Sequence, residues 1–172
     1  MNVGLISDTH GFLHHAVIDL FANVDHILHL GDIGEPEILT QLQQVAEVTA
    51  IRGNHEPDSL SDLPRSFSAR LGGMRLGMYH GLNSMPEDRA PAMFPEFFAY
   101  LRKSHDLVLF GHTHEPYDRE FAGMRFINPG YAGPDETRRR SVAILKWELQ
   151  RKGSAEITVS FFDLDTQQPF KL

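Results

Sequence analysis

Five short apolar runs in this chain each end on a polar cluster rich in glycine, aspartate, asparagine or histidine. Val3-Gly4-Leu5-Ile6-Ser7 leads into Asp8-Thr9-His10, and Ile27-Leu28-His29-Leu30 into Gly31-Asp32. Ile51-Arg52 leads into Gly53-Asn54-His55-Glu56, Leu76-Gly77-Met78-Tyr79 into His80-Gly81, and Val108-Leu109-Phe110 into Gly111-His112-Thr113-His114. Runs of this length and composition read as buried strands. Because α/β sheets collect their chemistry at the carboxyl ends of strands, the five clusters are expected to converge on one rim.

The segments between the runs have helical character, which predicts an α/β protein. Strands are expected at Asn2 to Ser7, His26 to Leu30 and Glu47 to Ile51, with helices at His14 to Phe21 and from Pro36 onward, Pro36 suiting a first turn. Ser66 to Leu71 and Met74 to His80 flank Gly72-Gly73 and predict an antiparallel hairpin. Ala90 to Lys103 reads as a helix, Leu107 to Phe110 as a buried strand, and residues 81–89 as loop. Further strands are expected at Tyr117 to Ala122 and Met124 to Asn128 around Gly123, and at Ser141 to Leu149 and Ala155 to Leu164 around Lys152-Gly153. The result is a mixed parallel and antiparallel sheet in one domain spanning 1–172, a length within the rough 100–200 residues of a single domain.

Composition narrows the chemistry. The chain has no cysteine, which removes disulfides, thiolate nucleophiles and thiolate metal sites, so any metal must sit on oxygen and nitrogen. Sixteen basic against 23 acidic residues give a formal charge of −7, which disfavours nucleic-acid and anionic-membrane binding. No apolar run approaches the roughly 20 residues of a membrane span, and no basic leader precedes the first strand. A cytoplasmic location is the expectation.

The clusters hold two Asp, one Asn and several His, a mixed carboxylate and imidazole set of the kind that binds first-row divalent metals. Mn²⁺ is the first expectation, with Fe, Zn, Ni or Co also suited. Seven ligands exceed what one tetrahedral ion takes and fit two ions that share a carboxylate. In Asp8-Thr9-His10 and His112-Thr113-His114, residues two apart point the same way from an extended segment and can reach one pocket. Histidines 14, 15, 26, 29 and 105 lie outside the clusters and receive no role.

Taken in order, Asp8-x-His10, Gly31-Asp32, Gly53-Asn54-His55-Glu56, His80 and Gly111-His112-x-His114 resemble the calcineurin-like metallophosphoesterase superfamily over residues 1 to about 130. The short length and Asn128-Pro129-Gly130 resemble its small bacterial and archaeal phosphodiesterase group. The resemblance implies two mixed β-sheets packed as a sandwich with helices on both outer faces, a four-layer α/β/β/α fold. It also implies that Asp8, His10, Asp32 and His114 bind one ion and Asp32, Asn54, His80 and His112 a second, with Asp32 bridging. The chain departs from the small group at His55, a histidine shared with the phosphoprotein phosphatases, and at Tyr131, where serine is usual. His55 becomes a candidate proton donor to the leaving group, with Glu35 in the place of the acidic residue that pairs with it; the other reading of Glu35 is favourable charge at the start of the helix near Pro36.

Two ions roughly 3.5 to 4 Å apart can hold a bridging hydroxide for in-line attack on phosphorus, so the expected activity is phosphodiester hydrolysis. A broad phosphomonoesterase or protein phosphatase is the alternative, and a scaffold like the retromer small subunit is the non-enzyme reading. Residues 81–111 leave no room for a cap domain, so the site is expected to be open to small phosphate esters, nucleotide derivatives among them; a homo-oligomer is compatible. Met85, Met93, Phe94 and Phe97 read as helix packing before they read as a substrate platform or dimer contact, and Arg138-Arg139-Arg140 as a solvated turn.

Overall fold

The computed structural model describes residues 1–82, 95–121, 123–149 and 155–172. Its strands are β1 (Asn2–Ile6), β2 (His26–His29), β3 (Glu47–Ala50), β4 (Ser66–Leu71), β5 (Met74–Tyr79), β6 (Leu107–Phe110), β7 (Tyr117–Phe121), β8 (Met124–Asn128), β9 (Ser141–Leu149), β10 (Ala155–Asp163) and β11 (Pro169–Phe170). The helices are α1 (Ala16–Leu20), α2 (Pro36–Leu42) and α3 (Pro95–Ser104), with a 3₁₀ turn at Asp58–Leu60.

One sheet has the order β11-β10-β9-β1-β2-β3 and the other β4-β5-β6-β8-β7. Both are mixed: β1 pairs with β2 in parallel and with β9 antiparallel, while β5, β6 and β8 run parallel between antiparallel edges. Alternation along each strand separates three apolar layers. Val3 and Leu5 of β1 meet Leu107 and Leu109 of β6 and Trp147 of β9 between the sheets. Ile6 and Ile27 face the other way, onto Val17 and Phe21 of the α1 segment and Ile38 and Leu42 of α2. Val108 and Phe110 pack outward under Phe98 and Leu101 of α3. The protein is thus a four-layer sandwich with helices on both outer faces. No helix among the described residues is long and apolar enough to cross a membrane.

The expected strands run one residue too long at the ends that matter. The N–H groups of Leu30 and Ile51 still donate to Ile6 and His29, 2.9 and 3.1 Å, but the ladder proper has ended. The first helix is shorter than His14 to Phe21, because His14 and His15 stand before it: their carbonyls accept the first turn bonds, and His14 Nδ1 accepts the N–H of Ala16 at 3.2 Å. The short edge strand β11 was not anticipated; it pairs with the end of β10. Residues 83–94, with Met85, Met93, Phe94 and the start of the helix expected from Ala90, lie outside the described residues, as do Ala122 and the Lys152-Gly153 turn.

Candidate metal centre

Beyond the last ladder bonds of β1 and β2, the two loops continue side by side. Asp8 N–H donates to Gly31 O at 3.0 Å, His10 N–H to Asp32 O at 2.9 Å and Gly11 N–H to Ile33 O at 2.7 Å. Left-handed backbone makes this possible. Asp8, His10, Asp32, His112 and His114 have φ of 57°, 46°, 52°, 69° and 61°, and Gln167 is the one other non-glycine residue with positive φ among those described. Such conformations cost free energy for residues bearing a Cβ and concentrate at functional sites. Here they turn five of the seven candidate ligands inward.

The side chains converge accordingly. Ligand atoms of Asp8, His10, Asp32 and His114 all lie within 4.8 Å of one another. His114 Nε2 stands 3.3 Å from Asp8 Oδ1 and 3.3 Å from His10 Nε2. On the other side of Asp32, His80 Nε2 is 3.4 Å from its Oδ2, the His80 and His112 rings are 5.2 Å apart, and Asn54 Nδ2 lies 3.2 Å from His112 Nδ1. The structure therefore brings all seven proposed ligands to one rim, Asp8, Asp32 and His80 buried and the others opening outward. Two close approaches demand glycine: a Cβ on Gly53 would overlap Asp32 Oδ1, and one on Gly111 would overlap Ser7 Oγ.

The donor set fits a cation. His80 Nδ1 donates to Leu30 O at 2.8 Å, and because a carbonyl can only accept, the proton of the neutral ring sits on Nδ1. Nε2 then presents a lone pair to the Asp32 and Asp8 carboxylates, 3.4 and 4.0 Å away. Both His80 Nε2 and Asp8 Oδ1 are buried without a hydrogen-bond partner. Orphaned acceptors facing one another are costly, and a divalent ion satisfies them together. Burial works to raise the Asp32 pKa, but the neighbouring His80 imidazole and the hydrogen bonds from the backbone N–H groups of His55 and Asn54 outweigh it, so the carboxyl is held well below the usual range. Burial also pushes the His10 imidazole down, towards the neutral form that ligates metals, against the pull of Asp32 and Asp8.

His55 lies on the exposed rim with its ring centroid 6.5 Å from that of His10, and its backbone N–H donates to Asp32 Oδ1 at 3.0 Å. Glu35 does not reach it: no hydrogen bond or ion pair joins the two side chains among the described residues. Glu35 occupies the N-cap of α2 in extended conformation, makes no side-chain cap bond either, and lies over the Gly11 turn. The carboxylate that does organise this region is Glu56. It accepts the N–H groups of Ile33 and Gly53 at Oε1, 3.0 and 2.9 Å, and those of Ile33 and Gly34 at Oε2, both 3.0 Å, tying the Asp32 loop to the Asn54 loop. Its position at the end of Gly53-Asn54-His55-Glu56 was on view in the sequence, but its partners are backbone groups that sequence does not display.

Other supports were equally silent. Thr9 Oγ1 bonds His29 Nε2 at 2.9 Å and Ile33 O at 2.9 Å beneath the site. Asn128 Nδ2 donates to Gly111 O and Thr113 Oγ1, 2.9 and 3.0 Å, holding the His112–His114 turn. Tyr131, buried, tilts its ring over His114 with centroids 4.7 Å apart and over His10 at 5.9 Å.

Comparison with known proteins agrees with this geometry. The chain is 33% identical over 153 residues to a probable metallophosphoesterase of Methanothermobacter thermautotrophicus, covering 85% of this chain and 86% of that protein. The fold matches Vps29 of Entamoeba histolytica, solved as a Zn²⁺ complex, with a TM-score of 0.69 at 22% identity over 95% of this chain and 99% of that one. It also matches an archaeal phosphodiesterase with a TM-score of 0.67 at 22% identity, covering 92% and 99% of the two chains. The family model of the calcineurin-like phosphoesterase superfamily domain matches residues 1–150, and the chain belongs to that superfamily.

Proposed function

We propose that this chain hydrolyses small phosphodiesters with two divalent cations, Mn²⁺ being the first to test. The observation that carries this reading is the buried pair Asp8 Oδ1 and His80 Nε2, both partnerless and 4.0 Å apart, at the centre of the convergent carboxylates and imidazoles. Bound divalent cations lower the pKa of water towards neutrality and neutralise phosphoryl oxygens, the chemistry that in-line attack on phosphorus needs. Asp8, His10 and His114 would hold one ion, Asn54, His80 and His112 the other, and Asp32 Oδ2 would serve both. His55, on the exposed rim, would give a proton to the leaving oxygen. Preference for diesters is supported by the likeness to an archaeal phosphodiesterase. Phosphomonoester hydrolysis is the second reading, favoured by His55 within Gly53-Asn54-His55-Glu56. A scaffold alone has no use for Asp8 and His80 buried in a costly arrangement, so the Vps29 likeness is read as one of fold.

The test is to strip the protein with a chelator, reload it with single metals, and assay aryl phosphodiesters beside the matching monoesters with metal content measured on the same samples. The expected outcome is two ions per chain, activity lost on stripping and restored by Mn²⁺, and faster turnover of diesters. Full activity without metal would overturn the proposal, one ion per chain would overturn the dinuclear assignment, and faster monoester turnover would favour the second reading.

A further inference from the structure

We infer that the pocket beside Asn54 and His80 is an anion subsite, so that the substrate carries a second negatively charged group, phosphoryl or carboxylate, on the arm of the ester lying there. The inference names the substrate class of the site above and rests on that reading. The pocket has a volume of about 190 Å³ and is walled by Arg52, Arg65 and Tyr79 together with Gly53, Asn54 and His80. It therefore opens directly onto the proposed ligands, and no carboxylate lines it among the described residues.

The two arginines lack what five others have. Arg75, Arg125, Arg138, Arg139 and Arg140 pair with Asp106, Asp118, Asp135, Asp163 and Asp165. Arg52 and Arg65 form no ion pair among the described residues, although acidic residues outnumber basic ones 23 to 16. Their placement is fixed by backbone: Arg52 N–H donates to Pro64 O at 2.9 Å, which sets the two arginines side by side at the pocket wall. Arg52 Nη1 is anchored on Ser61 O at 3.2 Å, while its Nε is buried with no partner. A desolvated guanidinium N–H left unpaired is costly, and an anion beside it recovers that cost through charge-assisted hydrogen bonds.

The experiment compares two diesters that differ only in the extra anion, thymidine 5′-(p-nitrophenyl phosphate) and its 3′-phosphorylated counterpart, on the Mn²⁺-loaded protein. The expected result is about a tenfold higher kcat/KM for the phosphorylated ester, the factor that about 1.4 kcal/mol confers, carried mainly by KM. Arg65→Gln should bring the ratio of the two esters close to one, while Arg70→Gln, on β4 outside the pocket, should leave the ratio as it is. A wild-type ratio of one or less, or a ratio untouched by Arg65→Gln, would overturn the subsite. A second measurement does not depend on catalysis: inorganic phosphate titrated into chelator-treated protein should shift the Arg52 and Arg65 Nε–H resonances saturably, and Arg65→Gln should weaken that binding. Failure of both esters to turn over, with these shifts present, counts against the phosphodiesterase reading and for the anion site; absence of the shifts counts against the site itself.

Discussion

Asp32 divides its carboxylate between two tasks: Oδ1 accepts the backbone N–H groups of Asn54 and His55 at 2.6 and 3.0 Å, while Oδ2 looks towards His10 and His80 at 3.9 and 3.4 Å. Asp32→Asn keeps the shape but removes the charge both proposed ions share, whereas Asn54→Ala removes one neutral ligand from one of them. The loss of kcat/KM for Asp32→Asn should exceed that for Asn54→Ala by at least about tenfold, or about 1.4 kcal/mol of barrier; an Asp32→Asn protein with both metals and normal turnover would refute the bridging role. Glu56 makes a different forecast, because it touches backbone and not the proposed ions. Glu56→Gln replaces one acceptor oxygen by an NH₂ group facing N–H donors, and should cost roughly 1–3 kcal/mol in stability. Since those N–H groups belong to the loops bearing Asp32 and Asn54, metal affinity should fall with it. Urea unfolding and a metal titration on the same variant check both halves, and weakened metal binding at unchanged stability would show that Glu56 acts otherwise.

The C-terminal end of α3 places His105 between Tyr79 and Tyr100, ring centroids 6.3 and 5.8 Å away, with Nε2 on Ser68 Oγ at 2.9 Å and Nδ1 buried without a partner. Burial pushes its pKa down; Arg75 adds to this, while the Leu101 carbonyl and Asp106 oppose it. The unfolded chain therefore takes up a proton below about pH 6.5 that the folded chain refuses, and stability present above that pH is lost as pH falls towards the folded pKa. In chelated protein, His105→Gln should remove a slope of up to about 1.4 kcal/mol per pH unit between pH 6.5 and 5.5, read from urea midpoints; an unchanged slope would show that His105 titrates normally. Elements were legible wherever a short apolar run ended on a turn cluster, as at Val3–Ile6 and Leu107–Phe110, while the face each residue takes, Val3 and Leu5 against Ile6 or Leu107 and Leu109 against Val108 and Phe110, is shown by the packing. The rim was legible for the same reason, since each cluster follows a readable strand. What sequence hid were interactions between remote backbone and side chains: Glu56 on Ile33, Asn128 on Gly111, and β11 finding β10. The place of Glu35, at the N-cap of α2 and over the Gly11 turn, is likewise one that its offset from Asp32 does not display.

Seen as a whole, the proposed ions would join the two sheets along one edge of the sandwich. Asp8, His10, Asp32 and Asn54 follow strands of the first sheet, and His80, His112 and His114 follow β5 and β6 of the second. Binding to the folded chain alone stabilises it by about 2.7 kcal/mol per site at a metal concentration a hundredfold above Kd. For a domain of this size each kcal/mol moves Tm by roughly 2–4 °C, so one saturated site should raise it by about 5–10 °C. Without metal the same geometry is a liability, because the Asp8 and Asp32 oxygens lie within 4.8 Å of each other and Asp8 Oδ1 has no donor. Asp8→Asn removes one of those buried charges and gives His114 or His80 an amide to meet. The variant should therefore melt higher than the parent protein in chelator and lower than it in saturating Mn²⁺, the order of the two curves reversing as metal is added. Calorimetry on both proteins across a Mn²⁺ series measures that reversal. A variant that melts lower at every metal concentration would mean that Asp8 supports the fold by itself and that the cost assigned to its buried charge is not there.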